Sequence, residues 1–426
     1  MAETPTASDL SEIVKNGIEA IHAFVEREVL PLEEKYRSIL ASERLLFRDD
    51  GRLVDEIAEA RRTVRMKSAT AGFYSMMAPA SIGGGGLPMT VAPPVLEAVY
   101  RRYGPGRLLI TWSNGFLSFP LVASFVDGPS SLFAGEVSER VRSEVVPSLL
   151  SGEKTVCFAA TEPDAGSDLW GMKARAIREG DEWSVSGTKQ WITNAPYADY
   201  AAVFAVTDPE LAAQRKGGIT CFLVDAKAAG YGIDNVLGVM GHMGSDCGTI
   251  SLDDVRVPND YIVGRVDQGF QVGMLGISEG RMYIAGCCLG MAEWALDRCL
   301  EYAQERKTFG VPIAEHQAIQ FMLADSAIDI FTAKHAINET ARLITAFPES
   351  GRLPVKEISI TKAYTVEMTE RVFDRAIQVH GAVGLSSEMP FQEGFRIART
   401  LRIPDGTSEI QRRTIARQLL RGDVVF

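Results

Sequence analysis

The chain has 426 residues, of which 46% are hydrophobic and 23% charged, and its formal net charge at pH 7 is -11. The composition is ordinary for a globular protein, and the length predicts two or three domains. The net negative charge argues against a nucleic-acid partner and against a basic membrane-binding patch.

The N-terminal region, from residue 9 to about 150, has a helical pattern. Apolar residues 10, 13, 18, 21 and 24 recur at helical spacing, and Pro31 should end or kink that helix. Residues 1–9 contain neither the basic nor the apolar segment of a signal peptide. No apolar run along the chain approaches the roughly 20 residues of a membrane span. We therefore expect a cytoplasmic protein, as in a bacterial cytosol, with no membrane span.

The middle region, residues 154 to about 265, changes to the short period of β-strands. Its apolar or alternating runs are separated by Gly, Asp, Asn and Pro and comprise residues 156–160, 183–185, 201–206, 220–224 and 249–257. This pattern is typical of a compact antiparallel β domain.

Long helical patterns return after Gly269. They cover residues 282–302, 317–343, 356–379 and a last segment that starts near Thr407. Four helices with short connections predict an antiparallel bundle. The predicted fold class is therefore mainly α with a central β domain. We expect an α-helical N-terminal domain (residues 1–153), a β-barrel-like middle domain (154–266) and a C-terminal four-helix bundle (267–426).

Two segments of the β region carry polar groups beside strand ends. The sequence TEPDAGSD at residues 161–168 follows the apolar strand at 157–160, and WITN occupies residues 191–194. Each segment alone could be a strand followed by a polar turn. Together they bring threonine hydroxyls, backbone amides and an indole near strand ends. Such a set could bind the polar edge and the apolar face of a flat heterocycle.

Asp405 stands between Pro404 and Gly406, just before a helix that Thr407 or Ser408 could cap. Pro404 stiffens the backbone before the acid, and Gly406 allows close approach to it. A carboxylate in this position is a plausible general base. It could equally be an Asp in an ordinary loop-to-helix turn.

The ordered set of motifs resembles the acyl-CoA dehydrogenase family. The motifs are TEPDAGSD, WIT, ERKTFG at residues 305–310, QVHG at 378–381 and a carboxylate followed by GTSEIQR at 405–412. The match to the family is collinear from about residue 10 to the C-terminus. The resemblance implies the three-domain architecture described above, one FAD in each subunit and a homotetramer built as a dimer of dimers.

The resemblance also implies residues that bind FAD. Thr161 and Thr193 would hydrogen-bond the flavin ring, and Trp191 would pack on it. The other expected cofactor contacts are Phe158, Ala160, Ser167, Arg306, Thr308, Phe309, Gln317, Gln378, Gly381, Thr407 and Glu409. Arg306, Gln317 and the 378–381 turn would reach the FAD of a neighbouring subunit. From its position alone, Arg306 could instead be a cation at the end of a helix.

For the substrate, the resemblance implies an acyl-CoA that contacts Ser167, Phe270, Arg281 and Gly406. Phe270 could instead be a core residue. Asp405 matches the family's base, which removes the α proton while the flavin accepts the β hydride. Its own N–H would stabilise the thioester oxygen. A separate electron-transferring flavoprotein would reoxidise the flavin.

Several positions depart from the family pattern. Most relatives carry Glu where this chain has Asp405. A second family branch takes its base from the residue before the arginine, which here is Gly280. Ser278 replaces a common Asp, and Ala382 replaces a common Gly. Nitroalkane oxidases on this fold also use an Asp base, so a flavin oxidase or monooxygenase that does not use CoA thioesters is the alternative function.

The resemblance further implies that residues 108–125 line the acyl pocket. This segment contains Trp112, Phe116 and Phe119, which would favour a short, branched or cyclic acyl group. The same aromatic residues could instead form helix-packing core.

Overall fold

The structure is a computed structural model that describes residues 7–110, 121–133, 135–240, 242–347 and 351–425. Its internal contacts divide the chain into two compact units. The first, which we call the helical unit, combines Met1–Val25, Pro88–Gly115 and Gly280–Phe426. The second, the sheet unit, combines Glu26–Leu87 and Phe116–Glu279. Trp112, Phe116 and Phe119, expected near the acyl group, lie outside the described residues.

The described helices are numbered in chain order. They are α1 (Ala7–Phe24), α2 (Leu30–Lys35), α3 (Arg37–Leu40), α4 (Glu43–Leu46), α5 (Asp55–Thr70), α6 (Ala92–Tyr103), α7 (Val146–Leu150), α8 (Pro209–Ala213), α9 (Gly269–Glu305), α10 (Gln317–Thr345), α11 (Val355–His380), α12 (Ala382–Leu385), α13 (Phe391–Leu401) and α14 (Ser408–Leu420). None of the helices within the described ranges combines the length and apolar character that a bilayer crossing requires.

The four long helices predicted after Gly269 are confirmed as α9, α10, α11 and α14. In the helical unit, α11 is the central helix and packs against α10, α13 and α14. The amphipathic helix α13, with Phe391, Ile397 and Leu401 buried, was not predicted. Its short apolar pattern lies between two turns, where periodicity is a weak signal.

The first helix does not end at Pro31 as expected, because the change in helix type lies before this residue. Helix α1 ends at Phe24, a single π-helical stretch covers Val25–Val29, and α2 begins at Leu30. Pro31 stands in the first turn of α2, where a missing N–H leaves no helical hydrogen bond unmade. Proline therefore starts a new helix here.

The described strands are likewise numbered in chain order. They are β1 (Val156–Ala159), β2 (Arg175–Glu179), β3 (Glu182–Thr193), β4 (Tyr200–Val206), β5 (Ile219–Asp225), β6 (Tyr231–Val236), β7 (Cys247–Pro258), β8 (Ile262–Val263), β9 (Lys307–Thr308) and β10 (Val311–Pro312). Five of them correspond to the predicted runs. The polar strand β2 and the mostly exposed β6 were missed, because neither carries a clear apolar pattern.

The sheet unit contains an eight-stranded sheet in the order β6-β7-β3-β2-β4-β5-β8, with β1 paired to β4. Most pairs are antiparallel, and β1 runs parallel to β4. Strand β4 is buried on both faces: Ala202 and Phe204 belong to one core cluster, and Ala201 and Val203 belong to another. The predicted fold class, helical N- and C-terminal parts around a central sheet, is confirmed.

Candidate active site

The Asp405 loop connects α13 to α14 in the helical unit. Asp405 has φ of +55° and Gly406 has φ of +89°, so two consecutive residues lie in the left-handed region. Asp adopts this conformation more readily than most non-glycine residues, but it remains uncommon. A strained pair of this kind persists only where surrounding groups hold it.

Three buried side chains hold the loop through its backbone carbonyls. Arg281 Nε donates to the Asp405 carbonyl at 2.9 Å, and Lys362 Nζ donates to the Gly406 carbonyl at 2.8 Å. Gln411 Nε2 donates to both carbonyls at 3.0 Å. We call these three side chains the carbonyl clamp. They come from α9, α11 and α14, so three helices fix one turn.

The electrostatics of the loop favour a base with a shifted pKa. Burial raises the pKa of the Asp405 carboxyl above its ordinary value, and the Lys362 and Arg281 cations oppose that rise. Burial lowers the pKa of the Lys362 ammonium to about 8. A carboxyl group with a raised pKa beside buried cations is a frequent feature of catalytic sites. No hydrogen bond from the Asp405 N–H occurs within the described parts of the chain.

Gly406 has little free space. A Cβ at this position would lie 2.8 Å from Gln411 Nε2 and 3.3 Å from Arg281 Nη2. Both contacts are to the carbonyl clamp. A side chain here would therefore disturb the groups that hold the loop.

We expect Gly406→Ala to lower the free energy of unfolding more than Gly422→Ala does. Gly422 has φ of +91° but nothing within 4 Å of an added Cβ. Both variants add left-handed strain of about 1–2 kcal/mol, and crowding at Gly406 adds about 1–3 kcal/mol. Urea denaturation of the two variants measures the difference. Equal losses would show that the clamp does not pack tightly on Gly406.

Thr407 and Glu409 begin α14. The Thr407 side chain accepts a hydrogen bond from Ile410 N at 3.3 Å, so the predicted helix cap is confirmed. Glu409 is exposed in the first turn, and its own N–H and the Thr407 hydroxyl lower the pKa of its carboxyl. Both residues follow the Asp405 loop directly.

A second group of the predicted residues lies elsewhere in the helical unit. Arg306 precedes the β9–β10 hairpin, whose tip carries Phe309 at φ +52° and 97% exposed. Thr308 Oγ1 lies 3.0 Å from His316 Nε2, just before Gln317 starts α10. The hairpin is thereby tied to the start of α10.

The turn at residues 378–381 lies near the end of α9 that leads to this hairpin. The ring of His380, in the last turn of α11, stacks on Tyr302 of α9 at 4.4 Å. Gln378 and Gly381 are exposed there. Arg281 and Tyr302 are separated along α9 by about 30 Å at 1.5 Å per residue. The predicted site residues of the helical unit therefore form two sets: one at the Asp405 loop, beside Arg281, and one at the C-terminal end of α9.

The sheet unit brings the two β motifs together. Gln190 N donates to the Thr161 carbonyl at 2.9 Å, which places the end of β1 beside the Trp191 region of β3. The β3–β7 register shifts between Lys189 and Ile192, and Trp191 has φ of +61°. This irregularity leaves the indole 50% exposed. Bulges commonly redirect a side chain in this way.

The other predicted residues of the sheet unit differ in exposure. Phe158 is half-buried against Phe125 and Phe204, and Ala160 is buried. Thr161 and Thr193 are partly exposed, whereas Ser167 is exposed. Phe270 packs against Trp170 with a centroid distance of 4.5 Å, which is the core contact considered as its alternative role.

A buried ion pair supports the end of β1. Glu162 accepts hydrogen bonds from Lys189 Nζ at 2.7 Å, from Lys173 N at 2.6 Å and from Ala174 N at 3.0 Å. Lys189 also donates to the Ala160 carbonyl at 3.2 Å. The Glu162–Lys189 pair was not predicted from the sequence. The signal for it was a lysine at a central strand position, opposite the Glu of the TEPDAGSD motif.

These residues fit a flavin. A half-exposed indole held out by an irregular strand, with partly exposed threonine hydroxyls beside it, offers an aromatic face and polar partners for a flat heterocycle.

Glu279, the residue before Gly280, lies in the sheet unit. Its carboxylate accepts a hydrogen bond from Ser131 N at 3.4 Å. Burial raises the pKa of Glu279 to about 7. Gly280, the next residue, has no side chain to serve as a base.

Comparison with known proteins identifies the class. Residues 157–255 match the acyl-CoA dehydrogenase middle domain, and residues 267–420 match the acyl-CoA dehydrogenase C-terminal domain. The human mitochondrial short-chain specific acyl-CoA dehydrogenase is 36% identical over 82% of this chain and 80% of its own length. The CarC subunit of the caffeyl-CoA reductase-Etf complex of Acetobacterium woodii is 32% identical over 86% of this chain and 92% of its own.

Solved structures agree with this assignment. A putative acyl-CoA dehydrogenase from Mycobacterium smegmatis superposes with a TM-score of 0.78 and 27% identity, covering 97% of this chain and 98% of its own. The fold and site thus define an oxidoreductase of the flavoprotein type. The chain belongs to the acyl-CoA dehydrogenase family, whose members are FAD-dependent enzymes of acyl-CoA metabolism.

Proposed function

We propose that this enzyme removes two hydrogens from an acyl-CoA thioester to give the 2-enoyl-CoA, with Asp405 as the base for the α proton. The proposal rests on the surroundings of the Asp405 carboxyl. It has a raised pKa, and its loop is held by three buried side chains from three helices. A carboxyl group whose pKa is raised is a better proton acceptor near neutral pH.

Asp405 would supply two groups to the reaction. Its carboxylate takes the α proton of the thioester. Its backbone N–H, which has no acceptor within the described residues, donates to the thioester oxygen as negative charge develops there. FAD, when bound, accepts the hydride from the β carbon.

We propose the cofactor contacts that the family resemblance implies. Thr161, Thr193 and Trp191 would contact the flavin ring. Phe158 in β1 and Ala160 just after it would add further contacts. Ser167 would lie along the phosphate or pantetheine path, and Thr407 and Glu409 would contact the cofactor from the start of α14. Phe270, Arg281 and Gly406 would contact the substrate. The support is the exposed indole and the hydroxyls of the sheet unit, together with the family assignment.

We propose that Arg306, Thr308, Phe309, Gln317 and the 378–381 turn bind the FAD of a neighbouring subunit in a homotetramer. Their distance of about 30 Å along α9 from the Asp405 loop supports a role in a different site. Exposed apolar residues provide further support: Phe321, Ile328 and Phe331 recur on one face of α10. An exposed apolar stripe of this kind is typical of a subunit interface.

We expect Phe331→Asp to dissociate the tetramer and to lower the FAD content. Burying a charge in a subunit interface is unfavourable, so the subunits should separate. Each subunit would then lose the cofactor contacts that its neighbour provides. Analytical ultracentrifugation and flavin absorbance measure the two effects. Leu45→Asp, which alters an exposed leucine of α4, is the control and should leave both unchanged. A Phe331→Asp tetramer with full FAD would contradict the shared site.

For reoxidation we propose an electron-transferring flavoprotein. The Acetobacterium woodii relative is a subunit of a caffeyl-CoA reductase-Etf complex. We also propose the three domains 1–153, 154–266 and 267–426. The two family models lie within the second and third of these segments.

An anaerobic screen tests the function. The FAD-loaded enzyme is mixed with linear, branched and cyclic acyl-CoAs, and flavin absorbance is followed. We expect bleaching with at least one thioester and slow reoxidation by oxygen. Rapid oxygen consumption with nitroalkanes, with no response to any acyl-CoA, would instead establish the oxidase alternative.

A further inference from the structure

Lys362 is a fully buried cation of α11 that contacts the Asp405 loop. Helix α11 contains two lysines at 0% exposure, Lys356 and Lys362. Lys356 is paired with the Asp423 carboxylate at 3.2 Å near the C-terminus. Lys362 forms no ion pair with any residue that the structure describes, and its Nζ donates to the Gly406 carbonyl at 2.8 Å. A buried charge without a direct partner is costly, so a lysine here calls for a role.

We propose that Lys362 is a positioning residue for the base: its Nζ anchors the Gly406 carbonyl, and its positive charge acts on the Asp405 carboxylate. The inference rests on the proposed role of Asp405. Lys362, on α11, would keep the base ionised and hold its loop in the left-handed conformation.

The geometry separates two effects of Lys362. The hydrogen bond to Gly406 is one of the four bonds of the carbonyl clamp, and Gln411 Nε2 also donates to that carbonyl. Loss of the hydrogen bond alone therefore leaves the carbonyl with a partner. The positive charge of Lys362 has no such substitute on α11.

The charged groups around the base determine the expected pH effect. Asp405 is influenced by Lys362 from α11 and by Arg281 from α9, and both lower the pKa of its carboxyl. Gln411, the clamp residue of α14, is neutral. Around Lys362 itself lie Asp405, Arg281, the Cys288 thiol and the more distant Glu367, which is paired with Arg412. Burial raises the pKa of Cys288 to about 12, so this thiol stays neutral.

Lys362→Gln removes the charge but keeps an N–H donor. Because a cation that stabilises the ionised base is lost, the pKa of Asp405 should rise. The acid limb of the pH profile for flavin reduction should then move upward by on the order of one pH unit. Lys362→Met, which also removes the donor, should show the same shift and a lower maximal rate. Lys362→Arg should keep the limb near that of the unmodified enzyme.

The measurement is the anaerobic rate of flavin reduction between pH 5 and 9, with one acyl-CoA for all FAD-loaded variants. Lys356→Met is the matched control: it loses a buried lysine of the same helix, and its acid limb should not move. An unshifted limb in Lys362→Gln would overturn the inference, as would an equal shift in Lys356→Met. If Lys362→Gln and Lys362→Met do not fold, a Lys362→Arg limb displaced by one unit would overturn it, and an unmoved limb would support it. Failure of the proposed function appears differently, as no flavin reduction in the unmodified enzyme.

Discussion

Replacing Asp405 with asparagine is expected to slow flavin reduction by acyl-CoA on the order of 10²–10⁴-fold, the usual contribution of a general base. FAD should remain bound, because no predicted contact of the flavin ring is removed. Asn is the informative replacement here. It is close to Asp in size and, like Asp, adopts the left-handed conformation readily, so the loop at φ +55° should persist. Stopped-flow absorbance measures the rate.

The matched control is Asp254→Asn. Asp254 is another aspartate in the left-handed region, at φ +54°, and its carboxylate binds Ser184 and Arg256 in the sheet unit. This variant changes the same chemical group in the same backbone conformation away from the Asp405 loop. Its rate of flavin reduction should match that of the unmodified enzyme. An Asp405→Asn enzyme as fast as this control would exclude Asp405 as the base.

Glu162→Ala should have the largest effect on stability. The change leaves Lys189 buried without its carboxylate and removes the acceptor of two backbone N–H groups, those of Lys173 and Ala174. Breaking a buried ion pair by deleting one partner typically lowers the free energy of unfolding by about 3–5 kcal/mol. The end of β1, where Thr161 should meet the flavin, would also lose its support. Urea denaturation and FAD content report the two consequences.

Asp164→Ala provides the comparison from the same loop. Asp164 pairs with Lys173 Nζ at 2.6 Å, but both side chains are largely exposed. Exposed pairs contribute about 0–1 kcal/mol, so this variant should be nearly as stable as the unmodified enzyme. Similar losses in the two variants would mean that the Glu162 network is no stronger than a surface pair.

The strongly periodic parts of the chain could be predicted from sequence, and the weakly patterned ones could not. The helices around Met282, Ile330 and Val366 carry long apolar faces, and all three were predicted. The strands β2 and β6 are polar or exposed. Their position is set by pairing with β3 and β7, which no local pattern reveals. The grouping of α1 and α6 with the C-terminal helices is likewise a long-range property.

The site residues likewise divide into those that could be predicted from the sequence and those that could not. Asp405, Gly406 and the Thr407 cap are adjacent in sequence, so their motif was visible. Lys362 contacts the same loop from α11, and only the fold brings it there. Gln411 lies within the motif itself, but its hydrogen bonds to the loop carbonyls could not be predicted from it. Their signal was a polar residue on the buried face of a helix. It could not be interpreted without knowing which loop that face meets.

The structure also gives a physical reason for an aspartate at this position. Asp405, the proposed base, stands at φ +55° directly before a glycine at φ +89°. Aspartate is among the few non-glycine residues enriched in this region, because its short side chain can satisfy local hydrogen bonds. The shorter reach of Asp then requires the substrate to approach closely.

The central claim is that Asp405 removes the α proton, and a kinetic isotope effect tests it most directly. Flavin reduction is measured anaerobically with an acyl-CoA that bleaches the enzyme and with the same thioester deuterated at the α carbon. We predict that deuterium slows reduction in the unmodified enzyme and that Asp405→Asn shows only residual reduction with either substrate. Rapid reduction in Asp405→Asn with an undiminished isotope effect would contradict the claim, because another group would then be removing the proton.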